Sequence, residues 1–214
     1  MTSLIGFLTL ISALTSTSSA LSCTECTSTS TTCSGFSRDC PPGTLCGSTY
    51  TKVLTGVLGT ELLVRGCIPL SECNFNGTMS MKEVHTGVGI SCCSIDKCTP
   101  PFPTFPTKSP NPNGVICPSC ISDKSTRCYT SDTIQCTGDE KMCVLQKTEI
   151  TGLASAAMRG CATKSYCDLG SQSYNTGGSS IKKVTYTCTS GGISAHKVIL
   201  TPAIVCLLLL KLFL

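Results

Sequence analysis

Hydrophobic residues in this chain fall into two kinds of run. Leu4-Ile5-Gly6-Phe7-Leu8-Thr9-Leu10-Ile11 near the start and residues 198–214 at the end are strongly apolar, whereas between them apolar side chains come in short stretches broken by Gly, Pro, Ser and Thr. Short β-branched stretches of that second kind predict strands, because such residues suit a pleated, half-buried surface and Gly supplies the turns. Residues 48–54 and 61–65 flank Thr55-Gly56-Val57-Leu58-Gly59, the pattern of a hairpin. Residues 144–150 lead into Thr151-Gly152-Leu153 in the same way, and both hairpins return to one tripeptide, at Arg65-Gly66-Cys67 and Arg159-Gly160-Cys161. Another hairpin fits between Cys73 and Cys92, and its counterpart ends in the alternating strand 181–188.

The shared tripeptide belongs to a longer repeat. Cysteines run Cys23-x2-Cys26-x6-Cys33-x6-Cys40-x5-Cys46-x20-Cys67-x5-Cys73-x18-Cys92, then Cys117-x2-Cys120-x7-Cys128-x7-Cys136-x6-Cys143-x17-Cys161-x5-Cys167-x20-Cys188. Eight positions recurring in order with nearly equal gaps mean two copies of one small module, 21–99 and 115–190. The first copy adds Cys93 and Cys98 in Cys92-Cys93-Ser94-Ile95-Asp96-Lys97-Cys98. A module of roughly 75 residues rarely supplies enough apolar core to fold unaided. Disulfides, each adding about 2–4 kcal/mol, make up the difference. Between the modules, 100–114 holds Pro100, Pro101, Pro103, Pro106, Pro110 and Pro112 with Phe102 and Phe105 interleaved, which predicts an extended, semi-rigid spacer of polyproline character.

The apolar ends predict processing signals. Residues 1–20 combine an apolar run too short to span a bilayer with small residues at Ser18 and Ala20, as in a secretory signal peptide cut after Ala20. At the other end Ser190-Gly191-Gly192, a short spacer and the apolar tail resemble a glycolipid-anchor signal over 191–214, with Ser190 as the attachment residue. A chain so processed works on the extracellular face of the plasma membrane, or is secreted if the tail is not an anchor signal. Without the tail, Cys206 is discarded and 18 of the 19 cysteines remain, an even number suited to an oxidising compartment. Residues 21–190 carry 14 basic and 12 acidic side chains, with no basic stripe opposite aromatics, so nucleic acid is not an implied partner.

Catalytic chemistry finds little support. His85 is the one histidine of 21–190 and is expected to be a solvated or structural loop residue. Asp139 and Glu140 are adjacent, so their carboxylates diverge, and an ordinary turn is expected there. Cys23-x2-Cys26 and Cys117-x2-Cys120 lack the strand-to-helix context of a redox motif. A zinc site would need reduced thiolates, which secretion opposes. No catalytic residue, metal or cofactor is therefore assigned. Asn76-Gly77-Thr78 is a glycosylation sequon, expected on an exposed turn. Leu54, Val57 and Leu58 cluster at the first module's central turn, either as an exposed tip for protein recognition or packed against module two or the linker phenylalanines.

The Cys-x2-Cys opening, the long loops and the Cys92-Cys93-Ser94-Ile95-Asp96-Lys97-Cys98 close resemble the three-finger domain of the lymphocyte antigen 6 and urokinase receptor family. The resemblance covers nearly all of the processed chain. It implies a small, disulfide-rich all-β fold of two tandem three-finger (snake-toxin-like) domains. It also implies the pairs Cys23 with Cys46, Cys26 with Cys33, Cys40 with Cys67, Cys73 with Cys92 and Cys93 with Cys98. In the second module it implies Cys117 with Cys143, Cys120 with Cys128, Cys136 with Cys161 and Cys167 with Cys188. Thr99 stands where the family usually has Asn, and the second module lacks the last cysteine pair. Pro103-Thr104-Phe105-Pro106, Asn113-Gly114-Val115-Ile116-Cys117-Pro118 and Cys136-Thr137-Gly138-Asp139-Glu140-Lys141-Met142-Cys143 look like the gamma-class phospholipase A2 inhibitors. That group implies a non-enzymatic extracellular binder of a secreted phospholipase A2. The wider family equally implies a receptor or adhesion molecule with another protein ligand, and a homo-oligomer stays open.

Overall fold

The computed structural model describes residues 21–106, 109–175 and 180–191, so the predicted signal peptide and all of the predicted anchor signal beyond Gly191 lie outside the described residues. The first module contributes β1 (Ser22–Ser28), β2 (Phe36–Asp39), β3 (Thr44–Thr55), β4 (Leu58–Pro69), a short 3-10 turn (Leu70–Glu72), β5 (Asn76–Met81) and β6 (Val84–Cys93). The second contributes β7 (Pro112–Pro118), β8 (Cys120–Ser122), β9 (Thr133–Thr137), β10 (Met142–Ile150), β11 (Ala154–Ala162), α1 (Lys164–Asp168), β12 (Ser171–Asn175) and β13 (Ile181–Ser190). Two three-finger domains, nearly all β, are what the cysteine spacing and the family resemblance imply.

The predicted hairpins are the middle fingers. β3 and β4 pair from Thr44↔Pro69 to Thr55↔Leu58, so the turn narrows to Gly56 and Val57, and Gly56 takes the left-handed φ of 59° that such a turn needs. β10 and β11 pair from Met142↔Ala162 to Ile150↔Ala154, turning at Gly152. Nine disulfides sit across the strands and loops: 23–46, 26–33, 40–67, 73–92 and 93–98 in module one, and 117–143, 120–128, 136–161 and 167–188 in module two. None joins one module to the other. The sulfur groups Cys23/Cys40/Cys67 and Cys117/Cys136/Cys161 lie close together, but every member is bonded to another sulfur and none offers a thiolate to a metal.

What joins the modules is a strand pair. β5 of module one lies antiparallel to β11 of module two, with Ser80 opposite Cys161 and Met79 opposite Ala162. The result is one 11-stranded sheet in the order β12-β13-β10-β11-β5-β6-β3-β4-β1-β2, with β8 branching from β11. The main apolar core straddles this joint: Met79 and Met81 from β5 pack with Val144, Ala162 and Tyr166, and Phe75 meets the Tyr166 ring edge-on at 5.5 Å. Two glycines permit the approach. A Cβ on Gly160 would run into the Ser80 carbonyl oxygen and sit 2.8 Å from Met81 Cγ, and one on Gly77 would sit 2.7 Å from Ser165 Oγ. Polar closure comes from Thr163, whose N–H donates to the Thr78 carbonyl at 3.0 Å and whose hydroxyl accepts from the Thr78 N–H at 3.1 Å.

The linker departs from the expected spacer. Phe102 lies 4.6 Å from the Tyr50 ring and Phe105 stacks on it at 5.6 Å, so the proline-rich segment straps back over β3 and β6. The cause is a bare trough on β6, where a Cβ on Gly87 would come within 2.6 Å of the Phe105 ring and one on Gly89 within 2.8 Å of the Thr104 carbonyl oxygen. Phe105 finds apolar cover there, while Phe102 rests on the Tyr50 ring and stays 41% exposed.

If the joint carries stability, Met81→Ala should cost about 2–5 kcal/mol, the range for truncating a buried Met, with all nine bridges intact. Urea unfolding without reductant measures it; a midpoint equal to the parent's would show that the bridges alone hold the fold.

Candidate functional site

The middle finger of module one ends in bare aliphatic surface. Val57 is 100% exposed and Leu58 75% exposed, because a two-residue turn leaves no backbone behind them to pack on. Leu54 is separated from them: it is half-buried and lines a cleft of about 510 Å³ with Tyr50, His85, Phe102 and Phe105. The trio is thus divided, with the two turn residues bare and Leu54 turned toward the cleft that the linker phenylalanines also line. Behind the tip Lys52 and Glu61 pair across the hairpin at 2.7 Å, and hydrogen bonds from Lys52 and Tyr50 hold the Glu61 carboxyl below the usual carboxylate range.

The second middle finger ends similarly, with Leu153 78% exposed. Register across the joint sets the two tips in a step. Gly160 lies level with Met81, near the end of module one's third finger, while β11 starts six positions further along at Ala154. At about 3.3 Å per residue the second module's tip stands roughly 20 Å ahead. The rigid surface thus has two aliphatic points at different heights.

At the joint one expectation changes and another holds. His85 is on β6 and buried, structural but not in a loop, whereas Gly138 and Asp139 form the expected turn and the two carboxylates diverge, Asp139 exposed and Glu140 buried. Ser80 Oγ donates to Glu140 Oε1 at 3.0 Å and lies 2.7 Å from His85 Nδ1, which is 3.5 Å from the same carboxylate oxygen. The trio has the membership of a hydrolase relay but not its layout. Hydroxyl and carboxylate share one ring nitrogen, whereas a relay needs them on opposite nitrogens, and the hydroxyl is sealed between modules. It acts as a polar bolt across the joint. Sequence could not show it, since Ser80 and Glu140 are 60 residues apart in different modules.

The sequon also moves. Asn76 is exposed, but it opens strand β5 rather than a turn, and Thr78 is buried at the joint. Ser190 is the exposed last residue of β13, opposite Met142.

Beside the joint Glu72, Phe75, Val88, Tyr166 and Tyr186 line a crevice of about 280 Å³. Burial pushes the Glu72 carboxyl above its ordinary value, and burial likewise raises the Tyr166 phenol, with the Tyr186 and Glu140 charges adding to it. A carboxyl whose folded value is raised favours the native state below its unfolded value, and that contribution is lost as pH rises through the folded value. Glu72→Gln should therefore make the protein more stable than the parent at pH 7, with the gain fading as pH falls through the raised folded value and gone by the unfolded value of about 4. Thermal melts from pH 3 to 8 measure this; a variant less stable than the parent at pH 7 and level with it at pH 3 would place the favourable form of Glu72 as the charged one.

Among the described residues no helix is long and apolar enough to cross a membrane. Residues 19–101 and 113–195 each match the u-PAR/Ly-6 domain. The chain is 29% identical over 64% of its length to the phospholipase A2 inhibitor NAI of Notechis ater, covering 71% of that protein. It is 27% identical over 73% of its length to the phospholipase A2 inhibitor 25 kDa subunit of Naja kaouthia, covering 91% of it. It is 34% identical over 51% of its length to the urokinase plasminogen activator surface receptor of Bos taurus, covering 33% of it. Among solved structures, mouse TEX101 aligns over 79% of this chain and 97% of its own at 18% identity, with a TM-score of 0.32, too low to support an argument. With both modules matched in full and all nine bridges in place, the chain belongs to the u-PAR/Ly-6 domain family.

Proposed function

We propose that this protein is an extracellular binding protein that inhibits a secreted phospholipase A2 by covering its surface, without chemistry of its own. The observation that carries the reading is the bare Val57 and Leu58 tip on a framework rigidified by bridges and by the joint. A rigid apolar point loses little conformational freedom on docking, so burial is converted efficiently into affinity. The phospholipase class is supported by the Notechis ater and Naja kaouthia inhibitors, which the chain follows over most of their length. A receptor or adhesion role is the second reading, favoured by the 34% identity to the Bos taurus receptor.

The reading includes a glycolipid anchor near Ser190 and a glycan on Asn76. The exposed end of β13 leads straight into the tail, and the exposed Asn76 side chain leaves room for a sugar. Phosphatidylinositol-specific phospholipase C should release the protein from intact cells, and peptide-N-glycosidase should lower its mass. Retention beside a released control, or an unchanged mass, contradicts the respective assignment.

Residues 21–190, expressed with the bridges formed, should inhibit at least one member of a panel of secreted phospholipases A2 at micromolar concentration. Val57→Ser with Leu58→Ser should weaken that inhibition tens-fold or more, since covering two aliphatic side chains is worth about 3 kcal/mol or more. Folding should not change, because both side chains are exposed. A whole panel left uninhibited moves the receptor reading ahead; inhibition indifferent to the double substitution moves the contact away from the tip.

A further inference from the structure

Because both modules are built on one repeat, a groove in one has a counterpart in the other, and one such pair is filled on one side only. In module two the outer edge of β11 pairs with β8 as far as Arg159↔Cys120, and then with β5 of module one at Cys161 and Ala162. Gly160 lies at the handover, under Ser80 and Met81. The incoming hairpin is then gripped at its tip: the Lys82 N–H donates to Ser119 Oγ at 2.8 Å, and Lys82 Nζ reaches Asp132 at 3.3 Å.

In module one the same handover begins and is not completed. The outer edge of β4 pairs with β1 as far as Arg65↔Cys26, the equivalent register, and among the described residues no strand pairs with that edge beyond it. Gly66, the counterpart of Gly160 in the shared Arg-Gly-Cys tripeptide, would meet nothing within 4 Å if it carried a Cβ. The space is a cleft of about 650 Å³ between the β1–β2 hairpin and β4. Val64, Phe36 and Ile68 give it apolar walls, with Val64 and Phe36 substantially exposed.

Charge identifies the occupant. In module two the carboxylate Asp132 takes a lysine from the incoming hairpin. Module one presents Arg38 and Arg65 against the single carboxylate of Glu25, and Arg38 already pairs with Glu25 at 3.1 Å. Arg65, held by its Nε to Ser48 Oγ at 3.1 Å, brings the excess positive charge. We propose that this cleft is a second binding site, which takes an extended segment of a partner protein as an antiparallel strand on residues 66–68, with an aliphatic side chain over Gly66 and Val64 and a carboxylate beside Arg65. Strand addition to an open sheet edge is a general mode of peptide recognition, main-chain hydrogen bonds giving affinity and alternate side chains giving specificity. The edge is short. Where Thr163 donates its N–H to module one, module one has Pro69 at the corresponding place, which has no N–H to donate. The strand seated here is thus an exchangeable partner rather than a permanent joint.

The site is independent of the Val57 and Leu58 tip and does not rest on the phospholipase reading. The test selects a phage-displayed library of linear 12-residue peptides on residues 21–190 with bridges intact. Enriched peptides should combine aliphatic residues with a carboxylate, bind Gly66→Val at least tenfold more weakly, bind Val57→Ser with Leu58→Ser unchanged, and slow hydrogen exchange at the Cys67 amide. Gly66 is in a strand with room for a side chain, so valine fills the cleft without strain; should that variant misfold, Val64→Lys at an exposed position serves in its place. No enriched peptide, or enriched peptides that bind both cleft variants as tightly as the parent, overturns the proposal. A dimer of the parent that Gly66→Val abolishes, with no peptide enriched, overturns it in favour of a second copy of the chain.

Discussion

The contact between β5 and β11 organises the rest of the molecule. Within each module the buried cluster at the base is made almost entirely of cystine: Cys23, Cys40 and Cys46 in one, Cys117, Cys136, Cys143 and Cys161 in the other. Such clusters restrict the unfolded chain but bury little hydrocarbon. The aliphatic and aromatic core lies instead between the modules, where Met79 and Met81 meet Val144, Ala162 and Tyr166. Covalent and hydrophobic stabilisation are therefore spatially divided. Bridges hold each module's shape, and the joint holds the modules to each other.

That division has a functional consequence. A pair of modules on a free spacer would present its fingers in many relative orientations and lose that freedom on binding. Here the sheet runs through both modules, the linker is strapped down by Phe102 and Phe105, and the Ser80 hydroxyl reaches the Glu140 carboxylate only when the modules meet. The stepped fingertips are then parts of one surface. Exposed aliphatic residues at Val57, Leu58 and Leu153 persist because the core that might have recruited them is elsewhere.

Much of this was legible in the order of residues, and the exceptions share a cause. The cysteine repeat and the glycine-centred β-branched runs point to two all-β modules with the middle fingers at β3–β4 and β10–β11, since those features are local. The joint is not local: β5 and β11 pair through two residues on each side, with 80 or more residues between them in the chain. Gly160 was visible as part of a repeated tripeptide, but its role as a place of close approach depends on Ser80, which nothing nearby announces. His85 and Glu140 each look ordinary alone, and their burial follows from the same docking. Proline content predicts an extended linker, and what holds it down is the absence of side chains at Gly87 and Gly89 on another strand.

Cutting the linker removes the one covalent tie between the modules, because none of the nine disulfides crosses it. A protease site placed between Thr107 and Lys108, cleaved to completion under nonreducing conditions, leaves the halves connected only through the joint. If the joint holds them, the halves co-elute at the size of the intact ectodomain and unfold in one transition. Two separated modules, each with its bridges intact, would contradict it.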